Sequence, residues 1–185
     1  MLTFDAANHI YTMAGHPVPS VTQILADMGL IDTTWFDEWS RTRGRMVHRV
    51  VELHLSGELD EENLDPILMP YLDAWKQFEV DTKFAPTATE APLYSIVHQF
   101  AGTPDYIGVL NGCEAVVDAK SGAIYRATAL QLAGYEVLAG RPLKRFALQL
   151  MDTGKYKLTS FTSRQDRGIF LAALAVWQWK NNGRK

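Results

Sequence analysis

The feature that most limits how this chain can fold is a change of hydrophobic period near Pro86. Before it, apolar residues recur at threes and fours; after it, they sit in short β-prone runs broken by one helix-length segment. Leu68, Tyr71, Leu72, Trp75 and Phe78 give the earlier half an amphipathic helix. The run W-F-x-x-W through M-V-H-x-V-V-x-L-x-L predicts one long helix or a broken pair from Thr33 or Thr34 to Leu55, with Gly44 as the candidate break and Gly57 as a stop. Ahead of these, residues 2–13 read as a hairpin around D-A-A-N, and Ser20 as the N-cap of a helix reaching about Met28.

In the later half the predicted strands are Ala91–Phe100, Tyr106–Leu110, Glu114–Ala119, Phe146–Met151 and Tyr156–Phe161, with Asn111-Gly112 as a hairpin turn. Residues 125–139 have helical composition, and 163–181 supply a last helix. Strands joined across a helix imply a mixed sheet, so the expected class is α/β, a mixed central β-sheet flanked by helices with an N-terminal helical extension. With 185 residues, 47% of them hydrophobic, and no repeat or low-complexity tract, the expectation is one domain. Within it, residues 1–85 carry the hairpin and helices, 86–165 the core, and 166–185 the terminal helix.

Composition restricts chemistry. A single cysteine, Cys113, rules out an internal disulfide and any four-cysteine iron–sulfur or zinc site, so no iron–sulfur cluster is expected. The first residues lack a signal-peptide pattern, and no apolar run approaches the ~20 residues that span a bilayer; a cytoplasmic protein without membrane contact is expected. The net charge of −3 argues weakly against nucleic acid, but Arg41, Arg43, Arg45 and Arg49 crowd one segment while an acidic block at 58–65 cancels them. Arg41, Arg43 and Arg45 are candidates for tracking a phosphate backbone, the alternative being a solvated helix face.

The chemistry-bearing stretch runs from Gly102 to Tyr135. Residues two apart in a strand share a face, so Asp118 and Lys120 project together, and the Asn111-Gly112 turn returns Asp105 beside Asp118. Two carboxylates at one sheet end suit Mg²⁺ or Mn²⁺. Lys120 is placed to orient or deprotonate a nucleophile, and Gln131 and Tyr135, at i and i+4, face the same site from the following helix. A D-x-K tripeptide alone arises by chance about once in every two chains of this length. Its weight comes from the neighbours.

Those neighbours, G-T-P-D at 102–105, D-A-K at 118–120 and Q-L-A-G-Y at 131–135, resemble the PD-(D/E)XK nuclease superfamily, in particular its RecB-like and phage exonuclease branch. R-G-R-M-V-H at 43–48 is similar to that branch's helix motif, and residues 11–25 resemble the N-terminus of phage-encoded members. The resemblance implies a restriction-endonuclease-like core and a metal-dependent DNA exonuclease for recombination, repair or phage DNA processing. It implies Asp105, Asp118, the carbonyl of Ala119 and His48 as metal ligands, Glu90, just before the first core strand, as a further acidic position, and Lys120 as the catalytic lysine. It also implies DNA as partner, with a single-strand annealing or recombination protein and a homo-oligomer as family expectations. Members commonly carry Glu where this chain has Asp118.

Other readings stay open at this stage: a noncatalytic nucleic-acid-binding or assembly module on the same fold, or a structure-specific endonuclease. For single residues the alternatives are a core histidine at His48, a salt-bridged Glu52 in place of a partner to His48, and a strand-edge charge at Glu90. For Trp177 and Trp179 the expectation is a helix docked on the sheet, against base stacking.

Overall fold

The computed structural model describes residues 1–5, 8, 10–31 and 38–182, the last by its backbone. Strands β1 (Leu2–Asp5), β2 (Ile10–Met13) and β3 (His16–Val18) form a small antiparallel sheet. The expected turn at D-A-A-N falls partly outside the described residues. Helix α1 (Val21–Asp27) follows, and Ser20 caps it: its Oγ accepts from Gln23 N at 3.0 Å, satisfying an amide that the first turn leaves unbonded.

Helix α2 (Glu38–Ser56) runs through Gly44 without a break, the long-helix alternative, and its predicted start at Thr33 or Thr34 lies outside the described residues. A Cβ at Gly44 would stand 3.8 Å from Ser121 Oγ, so the glycine marks where α2 passes the loop after the D-A-K strand. Gly57, at φ +72°, ends α2 in the left-handed region as expected. Helix α3 (Met69–Thr82) carries the predicted apolar face.

The central sheet has five strands in the order β10-β9-β8-β7-β4: β4 (Ala85–Thr89), β7 (Tyr106–Leu110), β8 (Cys113–Lys120), β9 (Lys144–Leu150) and β10 (Tyr156–Phe161). It is mixed, since β8 and β9 run parallel across helix α4 (Thr128–Ala139) and the other pairs are antiparallel. Helix α5 (Gln165–Asn182) closes the chain. The expected strand Ala91–Phe100 is instead a separate hairpin of β5 (Leu93–Ser95) and β6 (Phe100–Gly102), and the edge of the main sheet is β4. The cause is local: Ser95 Oγ accepts from His98 N at 3.1 Å, Ser95 O accepts from Gln99 N at 2.7 Å, and Gln99 sits at φ +53°. That turn reverses the chain where alternation alone reads as continuous.

Strand parity divides the core. Ala115, Val117 and Ala119 of β8 face Val47, Val51, Leu72, Trp75 and Phe78 of α2 and α3. Val116 faces the other way, onto Ile24, Leu132, Leu138 and Phe170 of α1, α4 and α5. Gly134 allows the second layer to close: a Cβ there would lie 2.8 Å from Val21 and 2.9 Å from Phe170. Residues 118 and 120 continue the row of Val116, so the polar end of β8 opens toward α4.

Candidate functional site

The β7–β8 turn has φ +49° at Asn111 and +75° at Gly112, the left-handed pair that matches strand twist in a two-residue hairpin. The register it sets pairs Tyr106 with Val117, which leaves Asp105 opposite Asp118 at the sheet end. Asp105 is buried, and its Oδ2 accepts from Ala119 N at 2.7 Å. Asp118 is fully buried, with Lys120 Nζ 2.6 Å from its Oδ2. That contact is an ion pair by distance without hydrogen-bond alignment, and Oδ1 has no hydrogen-bond partner among the described residues.

His48 reaches the same place from α2. Its Nε2 lies 3.1 Å from the Ala119 carbonyl oxygen and 3.8 Å from Asp105 Oδ2, and its Nδ1 is 3.2 Å from Glu90 Oε1. Carbonyl and carboxylate oxygens only accept, so both ring nitrogens must donate and the imidazole is a cation here. The electrostatics agree: burial pulls the ring down, but the carboxylates of Asp105 and Glu90 outweigh it and hold His48 up at about 9. Glu90 lies just past β4, correcting its expected place before the first core strand, and its backbone is left-handed at φ +47°. Its N–H donates to Asp105 O at 2.9 Å, which ties that bend to the aspartate.

Burial pushes the Asp118 carboxyl up to about 6 against the opposing pull of Lys120, and pushes Asp105 upward as well. Lys120 is net raised, burial being outweighed by Asp118 and Asp105. The centre therefore holds more negative charge than its own cations neutralise comfortably. One ligand atom each from His48, Glu90 and Asp105 lies within 4.8 Å of the others. Asp118 is outside that set, turned toward Lys120. Three carboxylates, a carbonyl and, once it gives up its extra proton, one imidazole form a hard, oxygen-rich donor set, and the unpartnered Asp118 oxygen is a lone pair without a donor. These residues fit a hard divalent metal ion.

A cleft of about 480 Å³ opens beside this centre, lined among others by Arg43, Gly44, His48, Lys120, Ser121 and Gln131. Gln131 Nε2 donates to Tyr135 Oη at 3.1 Å, and Tyr135 is buried behind it, its phenol raised well above the usual range by burial and then by Asp105 and Asp118. Of the three candidate arginines only Arg43 lines the cleft; Arg41 and Arg45 are exposed, and Arg45 Nη2 donates to Thr42 Oγ1 at 3.2 Å. Glu52 pairs with Arg49 at 2.7 Å, the salt-bridged alternative. Trp177 docks through Nε1–H donated to Asp27 at 2.7 Å, whereas Trp179 is exposed.

Sequence reasoning missed Ser40, Ser121, Thr22 and Thr128 as cleft walls, and the 2.7 Å hydrogen bond shared by Tyr11 and Thr103 beside Glu90. The signal for Ser121 and Gly122 was available, since they directly follow D-A-K. Tyr11 carried none.

No family model and no curated protein matches this chain. Among solved structures it is similar to an exonuclease candidate from Eubacterium rectale, with TM-score 0.53 and 16% identity over 93% of this chain and 79% of the other. It also superposes on an alkaline exonuclease, LHK-Exo, from Laribacter hongkongensis (TM-score 0.43, 12% identity, 88% and 90% covered). The dAMP complex of LHK-Exo gives TM-score 0.49 at 14% identity, with 88% and 87% covered. The first likeness establishes the fold; the two looser superpositions do not bear on function.

Proposed function

We propose that this chain is a metal-dependent deoxyribonuclease of the PD-(D/E)XK type, RecB-like branch, hydrolysing phosphodiester bonds at DNA ends. The observation that carries the reading is the convergence of His48, Glu90 and Asp105 ligand atoms within 4.8 Å, at the sheet end where a fully buried Asp118 carries Lys120. Asp105, Asp118, Glu90, His48 and the Ala119 carbonyl would hold Mg²⁺ or Mn²⁺, which when bound supplies Lewis-acid polarisation of the phosphate and a more acidic water.

The chain's own groups then have distinct tasks. Lys120, kept cationic by Asp118, offsets charge that develops on the phosphate and orients the attacking water. This geometry favours that role over proton abstraction, because the lysine's affinity for its proton is raised. Gln131 presents its amide to the cleft while Tyr135 fixes its rotamer. Arg43, at the cleft wall, meets the flanking phosphate.

The test is digestion of end-labelled linear duplex, single strand and closed circular DNA with Mg²⁺ or Mn²⁺. Cleavage is expected on linear substrates, falling by about 10²–10³ in Lys120→Ala and at least as far in Asp118→Asn, with both variants folded by circular dichroism. Cutting of closed circles would reassign the chain as an endonuclease. Salt-sensitive binding with no cleavage would make it a binding module, and unchanged activity in both variants overturns the site.

A further inference from the structure

Lys120 is the first member of a polar row that crosses the sheet. The β8–β9 register pairs it with Gln149, and the β9–β10 register pairs Gln149 with Lys157. Cross-strand partners share a face, so all three project to the α4 side, and two strand spacings place Lys157 about 10 Å from Lys120 along the row. The loop between β8 and α4 passes over this row. It brings Arg126 and a half-exposed Tyr125 above Gln149 and Lys157, enclosing a second cleft of about 350 Å³.

This second cleft shares Ala123 and Tyr125 with the cleft beside Lys120. At its other end Phe161 is shared with a third hollow, of about 630 Å³, lined by Lys144, Arg164 and Arg167 together with the Glu136–Arg145 pair. No carboxylate lines the middle cleft, and among the described residues neither Arg126 nor Lys157 has an ion-pair partner. Unpaired cations recurring along one path in an acidic protein call for an extended anion. A duplex, whose major groove alone is about 12 Å wide, does not enter a hollow this size. Cations interleaved with the rings of Tyr125 and Phe161 match a single strand, whose backbone follows charge and whose bases stack.

We infer that the path from Lys120 over Gln149, Arg126 and Lys157 toward Arg164 and Arg167 binds one strand of DNA leading away from the scissile phosphate. The direction of the strand rests on the nuclease reading above; the binding itself does not.

The experiment is fluorescence anisotropy of a labelled oligothymidylate of about 12 nucleotides across a salt series, with EDTA in place of divalent metal so that the strand stays uncut and Lys120 stays in the path. Adding Arg126→Ala and Lys157→Ala, both exposed positions, should weaken binding about tenfold at low salt. It should also lower the salt slope by about 1.4, at ~0.7 per lost single-strand phosphate contact. Arg126→Lys with Lys157→Arg should restore both. Unchanged affinity and slope while the wild-type chain still cleaves DNA would overturn the path and leave the nuclease reading standing. Weakened binding in a chain whose wild type cleaves nothing would uphold the path and sink that reading. Weakening confined to duplex, or no single-strand binding, would overturn the assignment.

Discussion

The β8–β9 pair buries charge at both of its ends, and the two ends treat it differently. At one end Arg145, paired across the strands with Val116, lies buried between Glu136 and Asp166 at 3.5 and 3.2 Å, and its Nη2 donates to Ser163 O at 2.6 Å. Two carboxylates and a carbonyl surround one guanidinium, tying β9 to α4, α5 and the loop before α5. At the other end Asp118 and Asp105 are buried with Lys120 and His48 close by, and a carboxylate oxygen is left without a hydrogen. Each cluster holds one more carboxylate than cations, Glu90 being counted with the second, and each keeps buried atoms without a hydrogen-bond partner among the described residues: Arg145 Nη1 and Asp166 Oδ2 in the first, the Asp118 oxygens in the second. The difference is arrangement. In the first, closed on its guanidinium, the carboxylates flank the cation and lock elements together; in the second, open one, a ligand atom each from His48, Glu90 and Asp105 converges within 4.8 Å beside a fully buried Asp118. Neither buried charge nor an unpartnered atom by itself therefore identifies a site; converging ligand atoms do.

The largest expected effect is on the closed cluster. Arg145→Ala leaves Glu136 and Asp166 facing each other with little solvent, which should cost about 3–5 kcal/mol of stability, read as the shift in urea midpoint. Cleavage per folded molecule should stay near wild type. A stability loss under about 1 kcal/mol would mean that the cluster is not the lock described above, and the contrast between the two ends would fail.

A smaller effect of opposite sense is expected at the open end, where a cation should stabilise. His48 is held at about 9, above its ordinary 6.5, so in the metal-free protein its contribution is full below about 6.5 and is lost as pH climbs through about 9. Asp118, raised to about 6 from 3.8, likewise favours folding in its neutral form and loses that contribution as pH passes about 6. Both make the metal-free chain less stable as pH rises. Metal binding needs both groups deprotonated, so Mn²⁺ should raise the melting temperature more at pH 8 than at pH 6. At a hundredfold excess over Kd the gain is about 2.7 kcal/mol, or roughly 5–10 °C at this chain length. Asp118→Asn should shrink it, and a Mn²⁺ shift that is equal at both pH values would break the assignment of His48 and Asp118 to the metal.

The open end was readable in sequence because local rules place it: strand parity for Asp118 and Lys120, turn chemistry at Asn111-Gly112 for Asp105, and the i, i+4 spacing for Gln131 and Tyr135. His48 needed the resemblance, since nothing in helical periodicity says that α2 crosses the end of β8. The closed end was not readable. Arg145, Glu136 and Asp166 lie on three elements whose meeting depends on how α5 packs, and each looks like an ordinary surface charge in the sequence. The β5–β6 hairpin was hidden for the reverse reason: Ile96 and Val97 are apolar in an alternating run yet more than four-fifths exposed, so period misreported burial there.

The smallest effect separates two arginines that are equivalent by spacing. Arg43 lines the cleft, and its buried Nε has no hydrogen-bond partner among the described residues, whereas Arg45 is exposed and bonded to Thr42 within its own helix. Within one turn of α2 a buried donor at the cleft thus stands against an exposed donor bonded to its own helix. Arg43→Ala should reduce the salt slope for duplex binding by about 0.9, one phosphate contact, and lower kcat/KM on linear DNA by about tenfold, which is ~1.4 kcal/mol. Arg45→Ala should leave stability within about 0.5 kcal/mol and the slope unchanged. Salt titrations of both variants decide it. A slope lowered by Arg45→Ala and unchanged in Arg43→Ala would place the flanking phosphate on the outer face of α2.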